Sequence, residues 1–224
     1  MTKTELTKRY ACFITGLLFN SLAIVLITKA GLGTSPISSL PYVLSLIFPL
    51  SLGGFTFIIN MILIAGQAIL LKKDFAKSQY LQIPVTILFS FLIDAFMSFF
   101  RFLNPTVYWM QVICLLAGCV CLGLGISLEV QANVVILAGE GAVKAISQRF
   151  NTEFGVTKTF FDITLVAVSL VLSLVFLGRV SGLREGTAAA ALCVGSISRF
   201  FIGRLCFLQD LFKGRPAENA GAEV

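Results

Sequence analysis

The chain has 224 residues, of which 57% are hydrophobic and only 12% charged, whereas ordinary soluble domains carry about 25% charged residues. Too little polar surface is left to cover a water-soluble fold, and the lack of histidine removes the commonest acid-base group of enzymes. The formal charge of +6 does not signal nucleic acid, because the basic residues fall between long apolar blocks instead of forming a stripe on one surface.

Residues 1–10, with Lys3, Lys8 and Arg9, read as a cytoplasmic N-terminal segment. The apolar block Phe13 to Ile27 that follows extends past the signal-peptide core length of about 7–15 residues, which makes it a first span. Next comes Gly33-Thr34-Ser35-Pro36, where Thr or Ser can cap a helix and Pro suits its first turn, opening a short apolar stretch from Pro36 to Leu50. Phe55 to Leu71 and Leu81 to Phe100 are long blocks again and complete a first membrane repeat over residues 11–103. A second repeat over 108–207 runs through Val112 to Leu128, a short stretch from Val134 to Phe150, then Thr159 to Leu177 and Thr187 to Phe201. Residues 208–224 read as a disordered cytoplasmic tail. A hydrocarbon core about 30 Å thick needs roughly 20 helical residues. The long blocks meet that length with their flanks, and the two short stretches do not. The expected fold is therefore all-α and integral to the membrane, with about six transmembrane helices plus two short re-entrant or broken ones.

One constant offset relates Gly16 to Gly118, Ile24 to Ile126, Ala30 to Ala132, Ser45 to Ser147, Asn60 to Asp162 and Leu63 to Leu165. Long span, short helix and two long spans recur in that register, which points to a duplicated unit. If the short helices do not cross, each unit has an odd number of spans and the halves are inverted. Lys3, Lys8, Arg9, Lys72, Lys73, Lys77, Lys144, Arg149, Lys158, Arg204, Lys213 and Arg215 then share the cytoplasmic side, leaving Lys29, Arg101, Arg179 and Arg184 opposite. The positive-inside rule favours this arrangement, with both termini cytoplasmic, over eight spans. A multi-pass protein of a bacterial inner membrane is expected.

Ionisable groups at membrane depth cost at least about 2.5 kcal/mol each, so they face protein or water and mark function. Asp94 and Arg199 are candidates for an intramembrane charge pair. Glu140, between Gly139 and Gly141, sits where exposed amides of a helix start favour a carboxylate. Glu129, with Gln131 and Asn133, either faces cytoplasmic water or lines a cavity. Inverted repeats with interrupted helices bring the two short-helix starts together near the bilayer centre. The expected substrate lining is Thr34, Ser35, Ser38 and Asn60 from the first half, with Asn133, Glu140, Gly141 and Asp162 from the second. Asn20, Ser21, Ser39, Gln67 and Thr86 either line the same cavity or join helices. The six cysteines lie in or beside apolar blocks without metal-ligand spacing and read as packing residues. Neither a catalytic constellation nor a cofactor or metal site is expected.

The strings Ala30-Gly31-Leu32-Gly33-Thr34-Ser35-Pro36, Gly139-Glu140-Gly141, Phe154-Gly155 with Lys158 and Asp162, and Gly182-Leu183-Arg184-Glu185-Gly186-Thr187 resemble the YitT/YczE-type bacterial membrane proteins. Val194-Gly195 and Arg199-Phe200-Phe201 fit as well, so the likeness runs from about residue 10 to residue 205. It implies a polytopic membrane fold and brings no substrate or catalytic residue with it. Ile37 and Ser38 stand where many relatives have an aromatic-acid pair. The expected function is a small-solute secondary transporter or channel, its partners the lipid bilayer and a small molecule or ion. The alternatives are a membrane accessory protein that regulates another and, behind it, a membrane-embedded enzyme.

Overall fold

A computed structural model describes residues 3–72, 75 and 77–213. The helices are α1 (Lys3–Ala30), α2 (Pro36–Ile47), α3 (Leu52–Leu71), α4 (Gln82–Phe99), α5 (Tyr108–Ala132), α6 (Ala138–Phe150), α7 (Phe154–Leu177), α8 (Glu185–Arg204) and α9 (Phe207–Lys213). Short 3-10 turns, Lys77–Leu81 and Phe100–Phe102, flank α4. Six helices (α1, α3, α4 with its flanking turns, α5, α7 and α8) are long and apolar enough to cross a membrane. Their outward faces carry Phe91, Phe160, Val175 and Leu192, the last 76% exposed. Such side chains match a hydrocarbon surround and would be costly in water.

With 12 and 13 residues, α2 and α6 reach about 18–20 Å, short of the hydrocarbon core. The first ends at Ile47 rather than at Leu50, because Phe48 precedes Pro49 and is held extended (φ −115°, ψ 154°). The second begins at Ala138, later than the apolar pattern indicates, since Asn133 closes α5 in the left-handed region at φ 48°. Helix α1 begins at Lys3, so the expected N-terminal segment is largely a continuation of the first long helix. Residues 207–213, expected in part as disordered tail, form α9. There Phe212 is buried, with the Arg9 guanidinium 5.3 Å over its ring. Gly214 to Val224 lie outside the described residues.

The most extensive helix pair is α1 with α5, which cross antiparallel. A Cβ on Gly16 would come within 2.9 Å of the Gly125 carbonyl oxygen, and one on Gly118 within 3.2 Å of the Ala23 oxygen. Backbones this close are what small residues permit in membranes. Helix α8 joins α5 through Ser127 Oγ, 3.2 Å from the Ser198 oxygen, and Gln131 Nε2, which donates to the Ile202 oxygen at 3.0 Å. Helix α2 packs on α7, with Ser39 Oγ and Ser169 Oγ 3.0 Å apart. Helix α6 packs on α3, where Gln67 Nε2 donates to the Ala138 oxygen at 3.0 Å. Helices α3 and α4 pack directly, whereas among the described residues α7 and α8 make at most marginal contact. The apolar core lies where α1 meets α4, around Leu17, Ile24, Phe89 and Ile93, and where it meets α5 and α8, around Ile27, Leu115, Cys119 and Ala190.

Candidate functional site

The turn before α2 is bound to the turn before α8. Gly186 N donates to the Leu32 oxygen at 2.8 Å, Thr34 N to Thr187 Oγ1 at 3.2 Å, and Thr34 Oγ1 to the Gly182 oxygen at 3.1 Å. Between them Gly33 takes φ 127°, a conformation L side chains avoid, and a Cβ there would also meet Thr187 N at 2.9 Å. The two stretches are thus one clasp. It fixes where α2 begins.

Both short helices open onto one cavity of about 560 Å³. Ser35, Pro36, Ile37 and Ser38 line it from the start of α2, and Leu137, Ala138, Gly139 and Glu140 from the start of α6. The two starts touch, because a Cβ on Gly139 would meet the Ile37 side chain. Neither N-cap residue caps its helix with its side chain. Ser35 Oγ instead pairs with Ser38 Oγ at 2.6 Å. Helix α3 adds Thr56 and Asn60, and α7 adds Lys158 and Asp162, whose Nζ and Oδ2 are 3.4 Å apart. On a helix, a cation four residues before its carboxylate is the weaker order, so local helix stabilisation is a poor account of this pair. Glu140 lies within electrostatic range of both Lys158 and Asp162. The rest of the wall is mainly apolar, from Ile24, Ile59, Phe89, Leu122, Ile126 and Val194.

Of the expected lining residues, Ser35, Ser38, Asn60, Glu140 and Asp162 come together at this cavity, and Asn20 joins them. Thr34 does not line it, being buried in the clasp. Asn133 and Gly141 line a separate cavity of about 230 Å³ with Gln79, Gln82 and Lys144, on the other side of the first turn of α6. There Gln67 and Gln82 exchange side-chain hydrogen bonds at 3.2 Å, and a Cβ on Gly141 would sit 2.6 Å from Gln67 Oε1. Gln67 therefore joins helices and does not line the main cavity.

The expected Asp94–Arg199 pairing is not found among the described residues. Asp94 turns to the start of α3, accepting from Ser51 Oγ at 2.6 Å and from Gly53 N at 2.8 Å. Arg199 is exposed and donates from Nε to the Gly195 oxygen of its own helix at 3.2 Å. An unsatisfied helix start is the nearer partner for a carboxylate, and Asp94 takes it. Glu129 is buried against α1 beside Gly16, with Oε1 unpartnered. Sequence reasoning placed Lys158 among cytoplasmic topology markers and passed over Thr56 and Ser198. The i,i+4 spacing of Lys158 to Asp162 was the signal available for the first, and nothing local distinguishes the other two.

The class these features define is a helical bundle with the hydropathy to cross a membrane and a polar-tipped cavity at the starts of two short helices. Residues 7–203 match the Family of unknown function (DUF6198), and the chain belongs to that family. No curated protein and no solved structure matches it.

Proposed function

We propose that the chain is a secondary transporter or channel for a small solute, with its site in the cavity between two inverted repeats. The convergence of Ser35, Ser38 and Asn60 from the first half with Glu140, Lys158 and Asp162 from the second on one cavity carries this reading. An accessory protein would need such groups on outward faces. In the same proposal the chain resides in a bacterial inner membrane with both termini cytoplasmic, and its likeness to YitT/YczE-type proteins is one of descent.

The packing supports the inverted repeat. Gly16 lies against Glu129 and Gly118 against Ile27, and the offset that takes Gly16 to Gly118 also takes Ile27 to Glu129. Likewise Gln67 meets Gly141 while Ser169 meets Ser39, and the same offset exchanges the two contacts. Ile37 and Gly139 are equivalent to each other under it and touch, as residues on a two-fold axis must. Inverted repeats of this kind place binding sites where interrupted helices meet.

The test is a screen of solute uptake into vesicles containing the purified full chain. With a substrate in hand, Glu140→Gln and Asp162→Asn are each expected to abolish uptake while leaving the protein expressed and folded. Full uptake in both variants would refute the assignment and leave these carboxylates as groups that only stabilise helix ends.

A further inference from the structure

The charge and hydrogen-bonding capacity of the cavity restrict what it can hold. Among the described residues its lining carries one cation, Lys158, against two carboxylates, Glu140 and Asp162. Lys158 is already engaged by Asp162 Oδ2. That leaves Glu140 without a cation of its own at the lining, in largely apolar walls where an uncompensated charge is costly.

Hydrogen bonding points the same way. Among the described residues no hydrogen bond or ion pair engages the Glu140 carboxylate, which lines the cavity. An ionised carboxylate only accepts. An acceptor withdrawn from water without a donor is costly, so a ligand that brings N–H donors to Glu140 is favoured over one that brings only acceptors. A bare divalent cation fits poorly, because such ions take six or more oxygen ligands and one of the two carboxylates is shared with a lysine. A cavity of about 560 Å³ walled by Ile24, Ile59, Phe89 and Leu122 has room beyond a charged head for a hydrocarbon body.

We propose that the cavity binds an organic monocation that donates hydrogen bonds, a protonated amine with an apolar body. Its ammonium group sits at Glu140 beside Asp162, and its body lies against the walls from α1, α3 and α5. The assignment rests on the cavity being a solute site, and it names the class of solute.

The full chain, purified in detergent, is titrated calorimetrically with four probes of one shape: benzylammonium, benzyltrimethylammonium, benzyl alcohol and phenylacetate. Saturable binding of benzylammonium is expected, about tenfold or more tighter than that of the other three. Glu140→Gln is expected to weaken it by a similar factor. Equal or tighter binding of phenylacetate or benzyl alcohol overturns the assignment, as does no saturable heat from benzylammonium up to about 10 mM. Binding of benzyltrimethylammonium equal to that of benzylammonium overturns the hydrogen-bonding part. The probe series on the unaltered protein decides the matter even if the variant does not fold. Counterflow of labelled benzylammonium in vesicles separates this assignment from transport: binding without counterflow removes the transporter and channel reading and leaves the ligand class standing.

Discussion

Replacing Asp94 by Ala removes the acceptor of two hydrogen bonds at the start of α3, from Ser51 Oγ at 2.6 Å and Gly53 N at 2.8 Å. Hydrogen bonds to a charged group contribute about 1.5–3 kcal/mol each. Polar contacts between membrane helices average only about 0.6 kcal/mol, because the unfolded segments also find partners in the bilayer. Asp94 is half-buried, and Ser51 Oγ keeps its bond from Gly54 N at 3.0 Å, so part of the cap survives. Between these limits the expected loss is about 2–3 kcal/mol. Reversible unfolding in mixed dodecylmaltoside and dodecylsulfate micelles, followed by circular dichroism, measures it. Arg199→Ala is expected to change stability by no more than about 0.5 kcal/mol, since the side chain is exposed and bonded only to its own helix. The double variant is expected to show a coupling near zero. A loss below about 0.5 kcal/mol for Asp94→Ala would refute the capping role, and a coupling above about 1 kcal/mol with Arg199 would restore a charge pair between α4 and α8.

Thr187→Val leaves the buried Thr34 N–H without its acceptor and is expected to cost about 1–3 kcal/mol in the same assay, with Thr187→Ser keeping most of the native stability; a loss confined to Thr187→Ser would show that the methyl group, not the hydroxyl, matters. Gly125→Val thrusts a side chain at Asn20 and at the Gly16 oxygen, 2.8 Å from the Cβ position, and is expected to cost about 1–3 kcal/mol or to abolish folding; native stability would mean that α1 and α5 are not this close. Single cysteines at Lys72 and Arg101, in a background without other cysteines, are expected to label from the inner and outer sides respectively. Labelling of position 72 from outside intact cells would contradict six spans and favour eight.

Much of the architecture was legible in the residues. The long helices follow from apolar runs that match the thickness of a bilayer, and the two short helices from the Thr-Ser-Pro start at residues 34–36 and the glycine-flanked Glu140. Part of the cavity's polar lining was legible as well, because Ser35, Ser38, Asn60, Glu140 and Asp162 stand at helix starts or at offset-related positions. Thr34, Asn133 and Gly141 do not join it, because proximity along the chain to a helix start does not tell which way a residue faces. Thr34 and Asn133 lie in the turns that precede the short helices, and on α6 a rotation of about 100° per residue carries Gly141 to another face than Glu140.

By itself the sequence determined an all-helical chain with the hydropathy to cross a membrane and the order of its long and short helices. Only the tertiary structure decided that Asp94 caps α3, that residues 32–34 clasp residues 182–187, and that Lys158 reaches the cavity. Among the described residues it also left at most marginal contact between α7 and α8 where α3 and α4 pack. Span length is set by the local hydrophobic content of each helix, which a run of residues records. The partner of a polar group depends on which helices become neighbours and how each is rotated about its axis. Those are set jointly by all the packed faces and by no single segment.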